Sequence, residues 1–187
     1  MQKPPIELLE RCKHDDRKAH YDLYRMCFGF LVNVCRRYYN NPEDVKAILN
    51  LVFLKIIQNM SSYLDKYETV PFELWIRRIA INCMTDEFRK NKSYKQNTEF
   101  TEVYESEDVH PLSDPTLAKE KLEVIMNAIN QLPEMNRTVF NLHTIDGYKH
   151  AEIADMLNIS LNTSKAHLHQ AKEKLKAMLS ESNTILT

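Results

Sequence analysis

Between positions 45 and 57 the apolar residues Val45, Ile48, Leu49, Val52, Phe53, Ile56 and Ile57 recur every three or four positions, the spacing of one helix face. The helix they predict starts at Asn41-Pro42-Glu43-Asp44 and runs to about Asn59. Asn caps the first turn, Pro fits the first helical position, and the two acids meet the positive end of the helix dipole. The side opposite the core stripe should be polar, yet it carries Ala47, Leu51 and Leu54. A helix apolar on two sides is either central to its own core or docked on a partner. The next helix is predicted over 71–92, with Phe72, Trp75, Ile76, Ile79, Ala80, Cys83 and Met84 as its buried stripe. Arg78, Asn82, Thr85 and Arg89 follow at steps of 4, 3 and 4 and so share the other face. That face offers donors and positive charge along about 16 Å of helix. It suits a nucleic acid. A face meant only for solvent would favour Lys and Glu over Asn82.

Past residue 116 the pattern predicts four more helices, at about 117–131, 134–144, 149–157 and 161–180. Leu122, Ile125, Met126 and Ile129 line the first, and Val139, Phe140 and Leu142 are available to pack the second. Asp146-Gly147 is a turn. Ala154 is small enough for close helix packing. Leu157 and Ile159 flank Asn158, which tolerates a left-handed turn, and Ser160 or Asn162 caps the last helix. A short helix, a tight turn and a basic helix make a helix-turn-helix. In the last helix Leu168, Ala171, Leu175, Met178 and Leu179 form the core face. Thr163, Ala166, Gln170 and Lys174 point away, with His167 and His169 to either side and Lys165 and Lys172 at the margins. Lys donates to guanine or phosphate, and Gln pairs with adenine through two bonds. The candidate DNA contacts are therefore Thr163, Lys165, His167, His169, Gln170 and Lys172.

Composition narrows the class. The chain spends 2 glycines in 187 residues, which argues against glycine-rich phosphate loops, tight hairpins and barrels and for an all-α fold. The formal net charge is −1, so nucleic-acid binding must come from local patches. Six basic residues stand against Asp86 and Glu87 between Arg77 and Lys95; six acids and no Lys or Arg follow between Gln96 and Pro115. That second stretch reads as an acidic linker at 96–116 between helical domains at 14–95 and 117–180. The longest nearly apolar stretch, Ala47 to Ile57, is broken by Asn50 and Lys55 and is too short for the roughly 20 residues of a membrane span. The opening MQKPPIELLE lacks the apolar core of a signal peptide. Cys12, Cys27, Cys35 and Cys83 form no Cys-x-x-Cys pair and read as reduced core residues of a cytoplasmic protein. Of the seven histidines, His143, His150, His167 and His169 lie in the DNA-reading unit. No metal-binding pattern is present, so no cofactor or metal and no enzymatic activity are expected.

Two segments carry a resemblance. PFELWIRRIAINCMTDEFRK is similar to the F-x-x-W-[LI]-x-x-I-A-x-N-x-x-x-D-x-x-R motif of bacterial RNA polymerase sigma factors of the extracytoplasmic-function (ECF) group. LPEMNRTVFNLHTIDGYKHAEIADMLNIS followed by TSKAHLHQAKEKL resembles that family's promoter-reading C-terminal domain, with GYKH and TSK like Bacteroidetes-type members. The resemblance covers about 14–180. It implies a sigma factor that carries core polymerase to promoters and helps melt the −10 region. The first domain would bind the β′ coiled coil and the −10 element. Asn82 matches the motif's Asn, and the loop at about 61–71 matches a pocket for a flipped base with Tyr63 and Tyr67 as candidate walls. The second domain would meet the β flap and read the −35 element, while the acidic linker threads the polymerase. An anti-sigma factor is a further implied partner. The family's polymerase-facing helix reads E-D-x-x-D-[LI]-[VLI]-Q-E-x-F; Glu43 and Asp44 match, but Ala47, Asn50 and Leu51 replace the later Asp, Gln and Glu. The polar contact is weakened, or replaced by the apolar patch Ala47, Leu51 and Leu54. In the last helix, His167, Gln170 and Lys172 stand where the family often has arginines. The reading from another class is a stand-alone helix-turn-helix regulator with an unrelated sensor domain, which would bind DNA without polymerase.

Overall fold

Helix α1 (Ile6–Lys13) buries Leu9 and Cys12, three positions apart on one face. It ends where Asp15 takes a left-handed conformation (φ 63°), and Asp16 then caps α2 (Arg17–Cys35) by accepting the N–H groups of Lys18 and Ala19 at 2.9 and 3.1 Å. Asn41 caps α3 (Pro42–Gln58) as its position predicts, its side chain accepting the Glu43 N–H at 2.8 Å. The short α4 (Met60–Leu64) and the long α5 (Phe72–Gln96) follow, the first unit ending within α5 at Phe88. The computed structural model describes residues 1–96 and 117–185, with side chains over 1–90 and 124–180; the predicted acidic linker at 96–116 lies outside the described residues apart from Gln96.

The chain forms two compact units, Met1–Phe88 and Arg89–Thr187. The first begins well ahead of the expected residue 14, because α1 packs on α2 and α4 and adds Leu9 and Cys12 to the core. Val45, Ile48, Leu49, Val52 and Ile56 of α3 are buried as the period requires, while Phe53 and Ile57 are half-buried at its edge. All four cysteines are free and buried. Burial pushes the Cys12 thiol up to about 11 and those of Cys27 and Cys35 up to about 12, so these three stay protonated, apolar and unreactive.

In the second unit α6 (Leu117–Asn130), α7 (Glu134–Phe140) and α8 (His150–Leu157) all pack against α9 (Leu161–Ile185). Ala128, Ile129 and Leu132 meet Ala171 and Leu175, with Met126, Phe140, Met178 and Leu179 around them. Val124 and Ile125 of α6 are exposed, so Ile125 lies outside the stripe expected for it. The helix predicted over 134–144 divides: after Phe140 it widens into a π-helical segment, Asn141–Ile145, and turns at Gly147 (φ 80°). Among the described residues every regular element is a helix, as expected, and no helix is long and apolar enough to cross a membrane.

Candidate nucleic-acid interface and partner surface

The face of α3 opposite the core is open. Glu43, Asp44, Ala47 and Asn50 are exposed, Leu51 is half-buried, and Leu54 is 52% exposed. The second apolar side of this helix is thus not covered by its own unit. A leucine left this open gains free energy when another surface covers it.

On α5 the structure keeps three of the four expected face residues. Arg78, Asn82 and Arg89 are exposed. Thr85 is 3% exposed, and its hydroxyl donates to the carbonyls of Ile81 and Asn82, both at 3.1 Å. It belongs to the core, not to the interface. The reason is visible one turn earlier: Ile81 is buried as well, so around these two residues the core wraps further round α5 than the predicted stripe.

The aromatic residues at the α4–α5 connection also differ from expectation. Tyr63 is 1% exposed, stacked on Trp75 at 4.4 Å and edge-on to Phe72 at 5.2 Å, with its hydroxyl donating to the Val70 carbonyl at 3.1 Å. Burial raises its phenol to about 12. It supports the loop from within and is not a wall open to a base. Tyr67 is half-buried. Its hydroxyl donates to the Pro4 carbonyl at 3.0 Å, and the Lys3 ammonium lies 3.5 Å from its ring centroid.

The helix-turn-helix forms as the residues predict. Asn158 sits at φ 50°, ψ 56° at the end of α8, and Ser160 caps α9, its hydroxyl accepting the Thr163 N–H at 3.0 Å. Thr163 is half-buried and its hydroxyl bonds that of Ser160 at 2.8 Å, so it serves the cap. Lys165, His169, Gln170 and Lys172 are exposed, with Ala166 between them and Glu173 as an acid on the same side. His167 turns inward instead. Its Nδ1 lies 2.8 Å from Oδ1 of the buried Asn136 and ties α9 to α7. A contact across 31 residues leaves no local signal. Below this face, His150 Nδ1 lies 2.9 Å from the hydroxyl of the fully buried Ser164, and the His150 ring stacks on His143 at 4.4 Å. Desolvation lowers the His150 pKa, aided by His143, Lys165 and Lys172. No group of three or more His, Cys, Asp or Glu that could hold a metal is gathered among the described residues.

Two exposed helix faces, on α5 and on α9, therefore present nucleic-acid chemistry, and a third, on α3, presents an apolar patch. The sigma-70 region 2 profile matches residues 23–94, and the sigma-70 region 4 profile matches 122–175. The ECF RNA polymerase sigma factor SigW of Bacillus subtilis is 27% identical over 180 residues, covering 91% of this chain and 94% of SigW. The chain belongs to the sigma-70 family, in its ECF group. The sigma factor is also 26% identical to the ECF sigma factor SigM of Mycobacterium tuberculosis, over 95% of this chain and 86% of that protein. Its fold is similar to that of the sigma factor RpoE of Bartonella quintana, solved with the anti-sigma factor NepR (TM-score 0.55, 17% identity, 86% of this chain and 96% of that one). As a sigma factor the protein directs RNA polymerase to promoters and is a specificity subunit, not an enzyme. A region 2 match ahead of region 4 disfavours the stand-alone regulator.

Proposed function

We propose that this sigma factor divides initiation among three surfaces. The α3 face, with Glu43, Asp44, Ala47, Asn50, Leu51 and Leu54, docks on core RNA polymerase at the β′ coiled coil. Arg78, Asn82 and Arg89 on α5, with the loop that precedes it, capture the −10 strand. Lys165, His169, Gln170 and Lys172 on α9 read the −35 element, the second unit meeting the β flap. The domains expected at 14–95 and 117–180, the first extended forward to include α1, carry these roles, and the acidic segment at 96–116 joins them. The protein acts in the cytoplasm. An anti-sigma partner belongs to the reading, in keeping with the NepR complex of the similarly folded RpoE.

The observation that supports it is the exposure of the outward residues on α3, α5 and α9, each on a helix whose other side is core. Exposed Lys and Arg supply phosphate contacts, Asn and Gln supply base edges, and an exposed Leu supplies area for a protein partner. The test is run-off transcription with core polymerase from the organism that carries the chain, with and without the protein. Defined transcripts that require the protein are expected. A protein that neither binds core nor directs initiation would overturn the proposal.

A further inference from the structure

Two consecutive residues near the start of the chain converge on one residue of the α4–α5 loop. Lys3 Nζ donates to the Tyr67 carbonyl at 2.8 Å and sits 3.5 Å from the centre of its ring, while the Tyr67 hydroxyl donates to the Pro4 carbonyl at 3.0 Å. Pro4 is buried although it precedes the first helix. The segment is also stiff. Pro4-Pro5 restricts two successive φ angles, and Pro5 is extended (φ −60°, ψ 144°) as it enters α1. Helix α1 is anchored by Leu9 and Cys12 and packs on α4, the helix from which the loop departs. The chain ahead of α1 is thus aimed at Tyr67 by the core itself.

The loop needs such a hold. Asp65, Lys66, Glu68, Thr69 and Pro71 are exposed, and its own ties include short turns, the Thr69 hydroxyl donating to the Lys66 carbonyl at 3.2 Å, the bond from Tyr63 to Val70, and an edge-on contact of Tyr67 with Tyr63 at 6.1 Å. Its own charges, Asp65, Lys66 and Glu68, sum to −1, unfavourable for an approaching nucleic-acid strand; Lys3 brings the sum to zero.

We propose that Lys3 and Pro4 are positioning residues for strand capture: they strap Tyr67, and through it the α4–α5 loop, into the arrangement that receives the promoter strand. The inference rests on the strand-capturing role proposed above. Ordering the loop at folding removes an ordering cost that binding would otherwise meet.

The test uses the full-length protein, free and as holoenzyme, with the variants Lys3→Ala, Lys3→Arg and Tyr67→Phe. Hydrogen–deuterium exchange over 65–70 reads the strap directly. Open-complex formation is read by permanganate on a promoter drawn from a randomised duplex pool with the wild-type holoenzyme. In Lys3→Ala, faster exchange and about a fivefold fall in open complexes are expected, the size of one exposed cation–π contact, at unchanged core binding. Tyr67→Phe, which loses the bond to Pro4, should change in the same direction. Lys3→Arg should restore both readouts, since the guanidinium keeps the cation over the ring and the donor to the carbonyl. Unchanged exchange in Lys3→Ala and Tyr67→Phe overturns the strap. Faster exchange with open complexes unchanged or increased overturns the positioning role, an increase meaning that the segment obstructs the loop. A salt slope lowered by about one with exchange unchanged would make Lys3 a phosphate contact and overturn the proposal. If the wild-type holoenzyme opens no member of the pool, the strand-capturing role fails and this proposal falls with it.

Discussion

Leu54 and Leu49 lie on one helix and serve opposite purposes. Leu49 is core, whereas Leu54 is half exposed on the side the unit leaves open. Fully burying a leucine is worth about 1.5–3 kcal/mol, and an aspartate in its place opposes burial further. Leu54→Asp should therefore weaken core-polymerase binding at least about tenfold in a titration, with the melting temperature of the free protein unchanged. A large loss of thermal stability would return Leu54 to the core. Asn82 and Thr85, three positions apart on α5, form a second contrast. Asn82 is exposed, and Asn82→Ala should reduce permanganate reactivity of the melted −10 thymines by the equivalent of about 1–3 kcal/mol while leaving core binding intact. The Thr85 hydroxyl bonds its own helix backbone, so Thr85→Val should change stability by less than about 1 kcal/mol and leave opening unaltered.

At the scale of elements, the approach of α8 to α9 depends on one backbone geometry. Asn158 holds φ 50°, ψ 56°, a region where a β-carbon costs about 1–2 kcal/mol and which Asn tolerates. Asn158→Ala should destabilise the second unit by about 1 kcal/mol in urea unfolding, and Asn158→Gly should be neutral or better. The two helices also meet through His150 and Ser164. Desolvation, His143, Lys165 and Lys172 lower the His150 pKa below its ordinary 6.5 in the folded state. The unfolded chain then takes up a proton first. Stability from this site is complete above 6.5 and is lost as the pH falls through that value toward the folded pKa. Thermal unfolding from pH 7.5 down to 5 should show this loss, and His150→Gln should reduce it. An unchanged pH profile in that variant would assign the effect to another group.

Over the whole molecule the net charge of −1 places DNA affinity in local faces, and the α9 face is graded. Gln170 is exposed near its middle and Lys172 toward its edge. Gln170→Ala should relax preference at one −35 base by about 1–3 kcal/mol with the salt slope kept. Lys172→Ala should weaken all duplexes alike and lower the slope by about one. Binding of holoenzyme to singly substituted −35 duplexes at several salt concentrations separates the two. What could be read along the chain was what is local. The Asn41 cap, the α3 core stripe and the Asn158 turn each depend on residues within a turn or two of one another, and each stands where its spacing placed it; of Ser160 and Asn162, both offered by the sequence, it is Ser160 that accepts the Thr163 N–H. The exposure of Leu54, Asn82 and Gln170 follows from the same period. The α1 helix carried its own signal in Leu9 and Cys12, three apart, which the assumed start at residue 14 passed over. Tertiary structure alone decided the flanks. Spacing says which residues share a helix face but not how far round the helix its neighbours reach. Only packing could turn Thr85, Tyr63 and His167 inward and bring Lys3 and Pro4 onto Tyr67 across more than sixty residues of chain.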